Sequence, residues 1–328
     1  MLKARLLEAK LASLYKAGKI VGGVYIGKGQ EAVSGSLGSA LIPGRDVFAP
    51  LIRDQAGRTA FGEPILDCTR TYIGSVLGPM RGRDGNVHRG RPLEGMPVMI
   101  SHLGTHVAVA AGMLFARRLR GQIEGVVGAA PIGDGATSTG AFHEAMNIIG
   151  VERLPMVVVV ANNQFAYSTP NERQFACKDL VDRAVGYGFE GHKVDGTDML
   201  ECIRVIGGAV ARAREGGGPQ MVVAELLRLS GHGEHDDAFY VPEEMRHSHV
   251  GRDCMEVAER QMLETGAASA EEIAAWKKEF SEEVQQAVAQ AQREPAPDPY
   301  KESWSAVATK RLYAGDWVET SNWEQPTK

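Results

Sequence analysis

"GDGATSTGAFHEAMNIIGVERLPMVVVVANNQFAYSTP" runs from Gly133 to Pro170, and its pattern decides the fold class. It starts with an Asp between two glycines, and its later valine run finishes on two adjacent asparagines, Asn162 and Asn163. Neither end suits the interior of a helix or a strand. Both suit strand ends arranged to hold something. Between them, Phe142, Ala145, Met146 and Ile149 recur at i, i+3, i+4 and i+7, the buried face of a helix, and Gly150 stops it. Pro155 then opens "MVVVVA", a continuous β-branched run typical of a central parallel strand covered on both faces.

Outward from this stretch the same alternation continues. Residues 125–132 read as a buried strand, and before them "SHLGTHVAVAAGMLFARRLRG" reads as a loop entering a helix that closes at Gly121. After the glycine break "GGGPQ", "MVVAELLRL" reads as a further strand. Strand–helix–strand alternation on this scale implies an α/β fold, with a doubly wound, mainly parallel sheet flanked by helices. The stretch from about Val21 to Arg91 is rich in glycine with short apolar segments, and a loop-rich region is expected there. The N-terminus reads as an amphipathic helix with Leu7, Leu11 and Leu14 on one face and Gly18 at its end. Near the other end, Ser269 and Glu272 form an S-x-x-E capping box. An apolar stripe follows through Ile273, Trp276, Phe280, Val284, Val288 and Ala291 until "REPAPDPY" breaks it. The expectation is one domain over residues 1–328, with a helical tail at about 250–295 packed on it.

Bulk composition narrows the function. With 44% hydrophobic and 23% charged residues the chain is an ordinary globular one, and a net charge of -5 gives no reason to expect nucleic acid or a membrane surface as partner. No apolar run is long enough to span a bilayer. The cysteines, Cys68, Cys177, Cys202 and Cys254, are scattered with no CxxC pair, which argues against a disulfide framework or a zinc site. A cytoplasmic protein is expected.

In open parallel sheets, ligands sit outside the carboxyl ends of the strands. Three polar clusters follow strands here: Asp134, the Asn162–Asn163 pair, and His232 in "SGHGEHDD". Each alone has a bland reading as turn or loop chemistry. Together they suit a hard divalent cation such as Mg²⁺, bound by one carboxylate, one side-chain amide and one backbone carbonyl beside a diphosphate. Glycines around Asp134 let the backbone approach phosphate closely, and the following helix aims its N–H groups at it. The run G-D-G-A-T-S lacks the third glycine of the dinucleotide pattern, and no G-x-x-x-x-G-K-[ST] phosphate loop is present.

"GDG" followed at this separation by "NN" resembles the thiamine diphosphate motif. The surrounding text resembles the alpha subunit of the decarboxylating component of 2-oxo-acid dehydrogenases of the pyruvate, branched-chain and acetoin types. The likeness runs through "GKGQEA", "GRDGNVH", "GDGATSTGAFHEAMN", "NNQFAYSTP", "KVDGTD" and "GHGEHDD", in that order. The resemblance implies a thiamine diphosphate-binding fold with Asp134, Asn163 and the Phe165 carbonyl as Mg²⁺ ligands. Gly133, Gly135 and Ala136 would lie along the diphosphate, and Arg53 would grip it. Ser101 and Leu103 would line the aminopyrimidine side. His232 would stand at the reacting carbon and orient the acyl acceptor, with His235 and Asp236 ordering its loop.

The implied activity is oxidative decarboxylation of a small 2-oxo acid, with reductive acyl transfer to a lipoyl group on a partner acyltransferase. The implied assembly is two alpha and two beta chains, the beta chain supplying the glutamate that activates the cofactor. Three positions depart from the family's usual text: Tyr25 stands where a histidine is common, Ile52 precedes Arg53 where a tyrosine is common, and Gly233 stands where some relatives carry a regulatory serine. An acetoin dehydrogenase alpha subunit, a single-chain thiamine-dependent lyase or synthase, and a non-catalytic cofactor-binding paralogue are the other readings. No second thiamine-type half is present, which counts against the single-chain enzyme.

Overall fold

The computed structural model describes residues 1–84 and 87–301. Gly85 and Asn86 of "GRDGNVH", and residues 302–328 of the expected domain, lie outside the described residues. The strands are β1 (Val47–Phe48), β2 (Gly128–Gly133), β3 (Met156–Asn162), β4 (Phe165–Ala166), β5 (Thr169–Pro170), β6 (Glu190–Asp195) and β7 (Gln220–Glu225). Five of them form one parallel sheet in the order β1-β2-β3-β7-β6, and β4 and β5 pair as a small antiparallel hairpin.

The pleat of β3 explains why its valines run without a break. Met156, Val158 and Val160 join one core with the helices Thr105–Leu119 and Gly140–Val151. Val157, Val159 and Ala161 join a second core on the opposite face with the helices Glu31–Ala40 and Met199–Arg214. A strand covered on both faces has no solvent side for polar residues to occupy. The sheet is doubly wound, as the alternation implied.

Proline in β2 looks out of place, since Pro131 cannot donate to a ladder. Its ring nitrogen faces the β1 side. There Val47 N–H bonds to Val127 O and Ala49 N–H to Ala129 O, both at 2.9 Å, and β1 has ended before the level of Pro131. The next carbonyl in that series, Pro131 O, is met instead by His106 Nε2 at 2.8 Å. A side chain has replaced the missing strand, so no donor is lost.

The loop-rich reading of residues 21–91 needs correcting: helices Glu31–Ala40, Gln55–Ala60 and Ile65–Ile73 lie within it. The first was hidden by Gly35 and Gly38, which lower helix propensity by about 1 kcal/mol each relative to Ala. The reason for Gly38 is tertiary. A Cβ on Gly38 would run into the Gly57 carbonyl oxygen, and one on Gly57 would come within 2.6 Å of Ser34 O. The two helix backbones touch, and only glycine permits that. "MVVAELLRL" also ends its regular pairing earlier than the apolar run suggests, at Glu225, level with the last residues of β3 and β6.

A third core joins the N-terminal helix Leu2–Lys16 to the helices Ile65–Ile73 and Ala270–Arg293 through Leu7, Leu11, Leu14, Cys68, Tyr72, Val284 and Val288. Ser269 and Glu272 form the capping box, and Glu294 just beyond the helix receives a forked pair of bonds from Arg70 at 2.9 and 2.6 Å. All four cysteines are free, and no helix among the described residues is long and apolar enough to cross a membrane.

The contact between the Glu31–Ala40 and Gln55–Ala60 helices is testable. Gly38→Ala should lower stability by about 1–3 kcal/mol, as overpacking against backbone does. Gly112→Ala, on an exposed face where an added Cβ meets nothing within 4 Å, should be neutral or slightly stabilising. Urea unfolding of both variants checks the pair; a Gly38→Ala protein as stable as the parent would mean the backbones do not touch.

Candidate active site

The carboxyl ends of three adjacent strands deliver the polar clusters to one place. Asp134 follows β2, Asn163 follows β3, and Arg228 and His232 lie on the segment leaving β7. All ten expected positions, Arg53, Ser101, Leu103, Gly133, Asp134, Gly135, Ala136, Asn163, Phe165 and His232, line a single cleft of about 620 Å³. Its other walls are largely apolar, with Leu51, Ile52, Val87, Met99, Ile100 and Ile132. The pleat separates the two asparagines. The Asn162 amide donates to both Glu225 carboxylate oxygens at 3.1 and 2.9 Å, away from the cleft, while Asn163 faces into it.

Asp134 is 1% exposed, and its Oδ2 accepts from Gln174 Nε2 at 2.7 Å. Burial raises its carboxyl above the usual range, opposed by that amide. One terminus of the Asn163 amide lies 3.1 Å from Phe165 O and 3.2 Å from Asp134 Oδ1. Occupied by nitrogen, that terminus donates to both. Occupied by oxygen, it makes three acceptors converge with no donor among them. The second arrangement suits a cation, because magnesium–oxygen bonds of about 2.0–2.1 Å on octahedral positions put neighbouring ligands about 3 Å apart. Among the described residues no group of three or more His, Cys, Asp or Glu side chains could hold a metal. One carboxylate, one amide and one carbonyl are the donor set of a hard cation, and the residues fit it.

The glycines beside Asp134 differ in use. A Cβ on Gly133 would meet nothing within 4 Å, so its absence leaves open cleft, whereas a Cβ on Gly135 would strike Ala166 of the β4–β5 hairpin. The helix does not start directly after "GDG". A 3-10 turn, Gly135–Ser138, intervenes, and Thr139 caps the helix at Gly140–Val151 by accepting from Phe142 N–H.

Arg53 reaches across the floor. It donates from Nη1 to Ile26 O at 3.0 Å and from Nη2 to His232 O at 2.6 Å, and Nη2 lies 3.3 Å from His232 Nδ1. Burial, with the Arg228 guanidinium nearby, pushes Arg53 down to about 10. Two guanidiniums in one cleft make a strongly positive site that suits a polyanion. The imidazole of His232 is held down to about 4 by burial and then by Arg53, Arg228 and His235, against the pull of Asp236. Nδ1 accepts from Arg53 in the neutral ring, so the proton sits on Nε2. Ser101 Oγ hydrogen-bonds to His88 Nε2, and Leu103 is 56% exposed at the open end of the cleft.

Sequence reasoning missed Gln174, Arg228, Tyr240 and Tyr167. Arg228 is 3% exposed and donates to Phe165 O (3.2 Å), Tyr167 O (2.8 Å), Tyr240 Oη (2.6 Å) and, through Nε, Ser230 O (3.1 Å). Asp236 accepts from His232 N–H and Tyr240 Oη, each at 2.6 Å, and from Ala238 N–H at 3.0 Å. Against the opposing penalty of burial, these bonds hold its carboxyl down to about 2. Arg228 thereby ties the hairpin after Asn163 to the His232 loop. A lone arginine inside the apolar run "ELLRL" was the only trace of it in the sequence.

A parallel, doubly wound sheet that gathers a hard-cation donor set, two guanidiniums and a neutral histidine at its carboxyl edge defines a binder of a phosphorylated cofactor. The comparisons sharpen this. The chain belongs to the dehydrogenase E1 component family, whose pattern matches residues 1–300, and the family works with thiamine diphosphate. It is 31% identical to the alpha subunit of an acetoin:2,6-dichlorophenolindophenol oxidoreductase of Cupriavidus necator, over 89% of this chain and 87% of that one. It is 29% identical to a pyruvate dehydrogenase E1 component subunit alpha of Porphyra purpurea, over 91% and 88% of the two chains. A 2-oxoisovalerate dehydrogenase subunit alpha of Bacillus subtilis is 32% identical over 72% of this chain and 71% of the relative.

His232 should therefore titrate far from an ordinary imidazole. Its ring resonances in the free chain should move with a midpoint near 4, and a midpoint above 6 would contradict the burial described here. Because folding favours the neutral ring, this group's stabilisation is complete above the ordinary histidine value of about 6.5 and is lost as pH falls through 4.

Proposed function

We propose that the chain is the alpha subunit of a 2-oxo-acid dehydrogenase decarboxylating component, carrying out thiamine diphosphate- and Mg²⁺-dependent oxidative decarboxylation with transfer of the acyl group to a lipoyl carrier. The observation that carries this is the convergence of Asp134, Asn163 and the Phe165 carbonyl beside the buried Arg228 and the partly buried Arg53. Asp134 Oδ1, the Asn163 amide oxygen and Phe165 O would hold the ion. Arg53 and the backbone N–H groups at Gly135 and Ala136 would hold the diphosphate, with Gly133 leaving it room. Ser101 and Leu103 would bound the other end of the cofactor. When bound, thiamine diphosphate supplies the nucleophilic carbon and the electron sink for decarboxylation.

The protein's own part is binding, orientation and proton placement. Arg53 holds the Nδ1 side of His232, leaving Nε2–H free to donate to an oxygen of the 2-oxo acid or of the acyl acceptor. A donor fixed in a partly dry cleft stabilises developing negative charge without reorganising. The apolar walls exclude water from the reacting carbon. Leu103, an apolar side chain left open at the cleft mouth, supports closure by a beta chain in an assembly of two alpha and two beta subunits. A lipoyl-bearing acyltransferase is the acyl acceptor's natural source. The four free cysteines support work in the cytoplasm. The whole chain would act as one cofactor-binding unit.

Two substitutions separate the roles. With the beta-type chain present, Asp134→Ala should abolish Mg²⁺-dependent thiamine diphosphate binding in calorimetry; binding equal to the parent would remove Asp134 from the metal site. His232→Ala should keep cofactor binding but lose acyl transfer to lipoyl groups by about 10²-fold or more, the scale of a lost transition-state donor. Full retained transfer would take His232 out of the mechanism.

A further inference from the structure

Two tyrosine rings pack on His232. Tyr25 meets it edge-on, with ring centroids 5.5 Å apart and planes at 75°, and Tyr167 lies 4.5 Å away at 46°. Both tyrosines line the cleft. Each ring is held in place by local backbone. Tyr25 lies over Gly23, where a Cβ would come within 2.7 Å of the ring, and against Gly233, where a Cβ would come 3.1 Å from Tyr25 Cε1 and 2.8 Å from His235 Cε1. The space a side chain at 233 would need is filled by Tyr25 and His235. Tyr167 takes a left-handed backbone, φ +54°, which a residue with a bulky side chain rarely adopts. Its carbonyl is anchored by Arg228 at 2.8 Å, and its neighbours Phe165–Ala166 and Thr169–Pro170 are paired in the hairpin. Such strain persists only where the surroundings fix it. Here it aims a large ring at His232, although the ring is 46% exposed and adds little to the core.

We propose that Tyr25 and Tyr167 set the size of the substrate at the His232 end of the cleft, admitting 2-oxo acids with a small, unbranched side chain and rejecting branched ones. This rests on the reading of His232 as the group beside the reacting carbon. Both rings that pack on that histidine are held by backbone contacts, and an aromatic ring does not repack as a Met or Leu side chain does. A Cβ-branched substrate would have to displace one ring from a position that glycine contacts and the Arg228 anchor both enforce. Gly233 belongs to the same device, because a Cβ there would meet both the Tyr25 and the His235 rings.

The test is steady-state turnover by the chain assembled with its beta-type partner, saturated with thiamine diphosphate and Mg²⁺, using an artificial electron acceptor. The substrates are 2-oxo acids carrying methyl, ethyl and isopropyl side chains. The parent should prefer the methyl acid. Tyr167→Ala should shift the ratio of kcat/KM for the isopropyl over the methyl acid upward by about tenfold or more, the scale of hydrophobic pocket discrimination. That shift should appear mainly as a lower KM for the larger acid, with cofactor affinity unmoved. Tyr167→Phe, which keeps the ring, should keep the ratio, and Tyr25→Leu tests the other wall. Unchanged ratios in Tyr167→Ala and Tyr25→Leu, or a parent that already prefers the isopropyl acid, overturn the proposal while leaving the decarboxylase reading in place. A parent that binds the cofactor yet turns over none of the three acids overturns that reading and this proposal together.

Discussion

The arrangement depends on three parallel strands ending at one level. Gly133 pairs with Ala161, and Asn162 with Glu225, so the chain leaves β2, β3 and β7 side by side. Whatever follows each strand is delivered to the same edge. Asp134 N–H bonds to Ala161 O, and Arg228 N–H to Asn163 O, which carries the ladder one step past the sheet and fixes the loop backbones against each other. Groups remote in sequence become neighbours because the sheet's register makes them so, and the two cores that cover it on both faces keep that register from slipping.

Electrostatics at this edge run against ordinary folding economy. Arg53 sits beside Arg228 where burial disfavours its charge, and Asp134 is buried with the Gln174 and Asn163 amides beside it. Under the proposed function, a polyanion and a divalent cation entering together would compensate both signs at once, and each would favour binding of the other. Elsewhere the chain does compensate its buried charge. Glu63 lies between Arg58 (3.1 Å) and Arg89 (3.0 Å), with Gln55 beside them, and that cluster is internally paired.

The three central strands and the polar turns that follow them were legible in the sequence because each has a local signature: an unbroken valine run, glycines flanking one acid, an amide pair closing a strand. β1, two residues long, and β6, largely exposed, carry no such signature and were not read as strands. The helix Glu31–Ala40 was not legible, since Gly35 and Gly38 oppose helix by propensity and Gly38 makes sense only beside Gly57. The same limit hid Arg228, Gln174 and Tyr240. Their roles consist of side-chain bonds to Phe165 O, Asp134 and Asp236 across intervals that carry no periodicity. Asn162 and Asn163 read alike as letters, and only the pleat assigns one to Glu225 and the other to the cleft.

The capping of β2 by His106 and Pro131 has a consequence for how the molecule behaves among its neighbours. A sheet margin with free donors and acceptors recruits foreign strands, and this margin lies beside the opening where ligands must come and go. β1 is two residues long, proline offers no donor beyond it, and the imidazole occupies the next acceptor. The margin is thereby closed to edge-to-edge association at the height of the cleft, and beside β1 the Gly95 carbonyl takes the Phe48 N–H, which keeps the entrance clear of self-assembly.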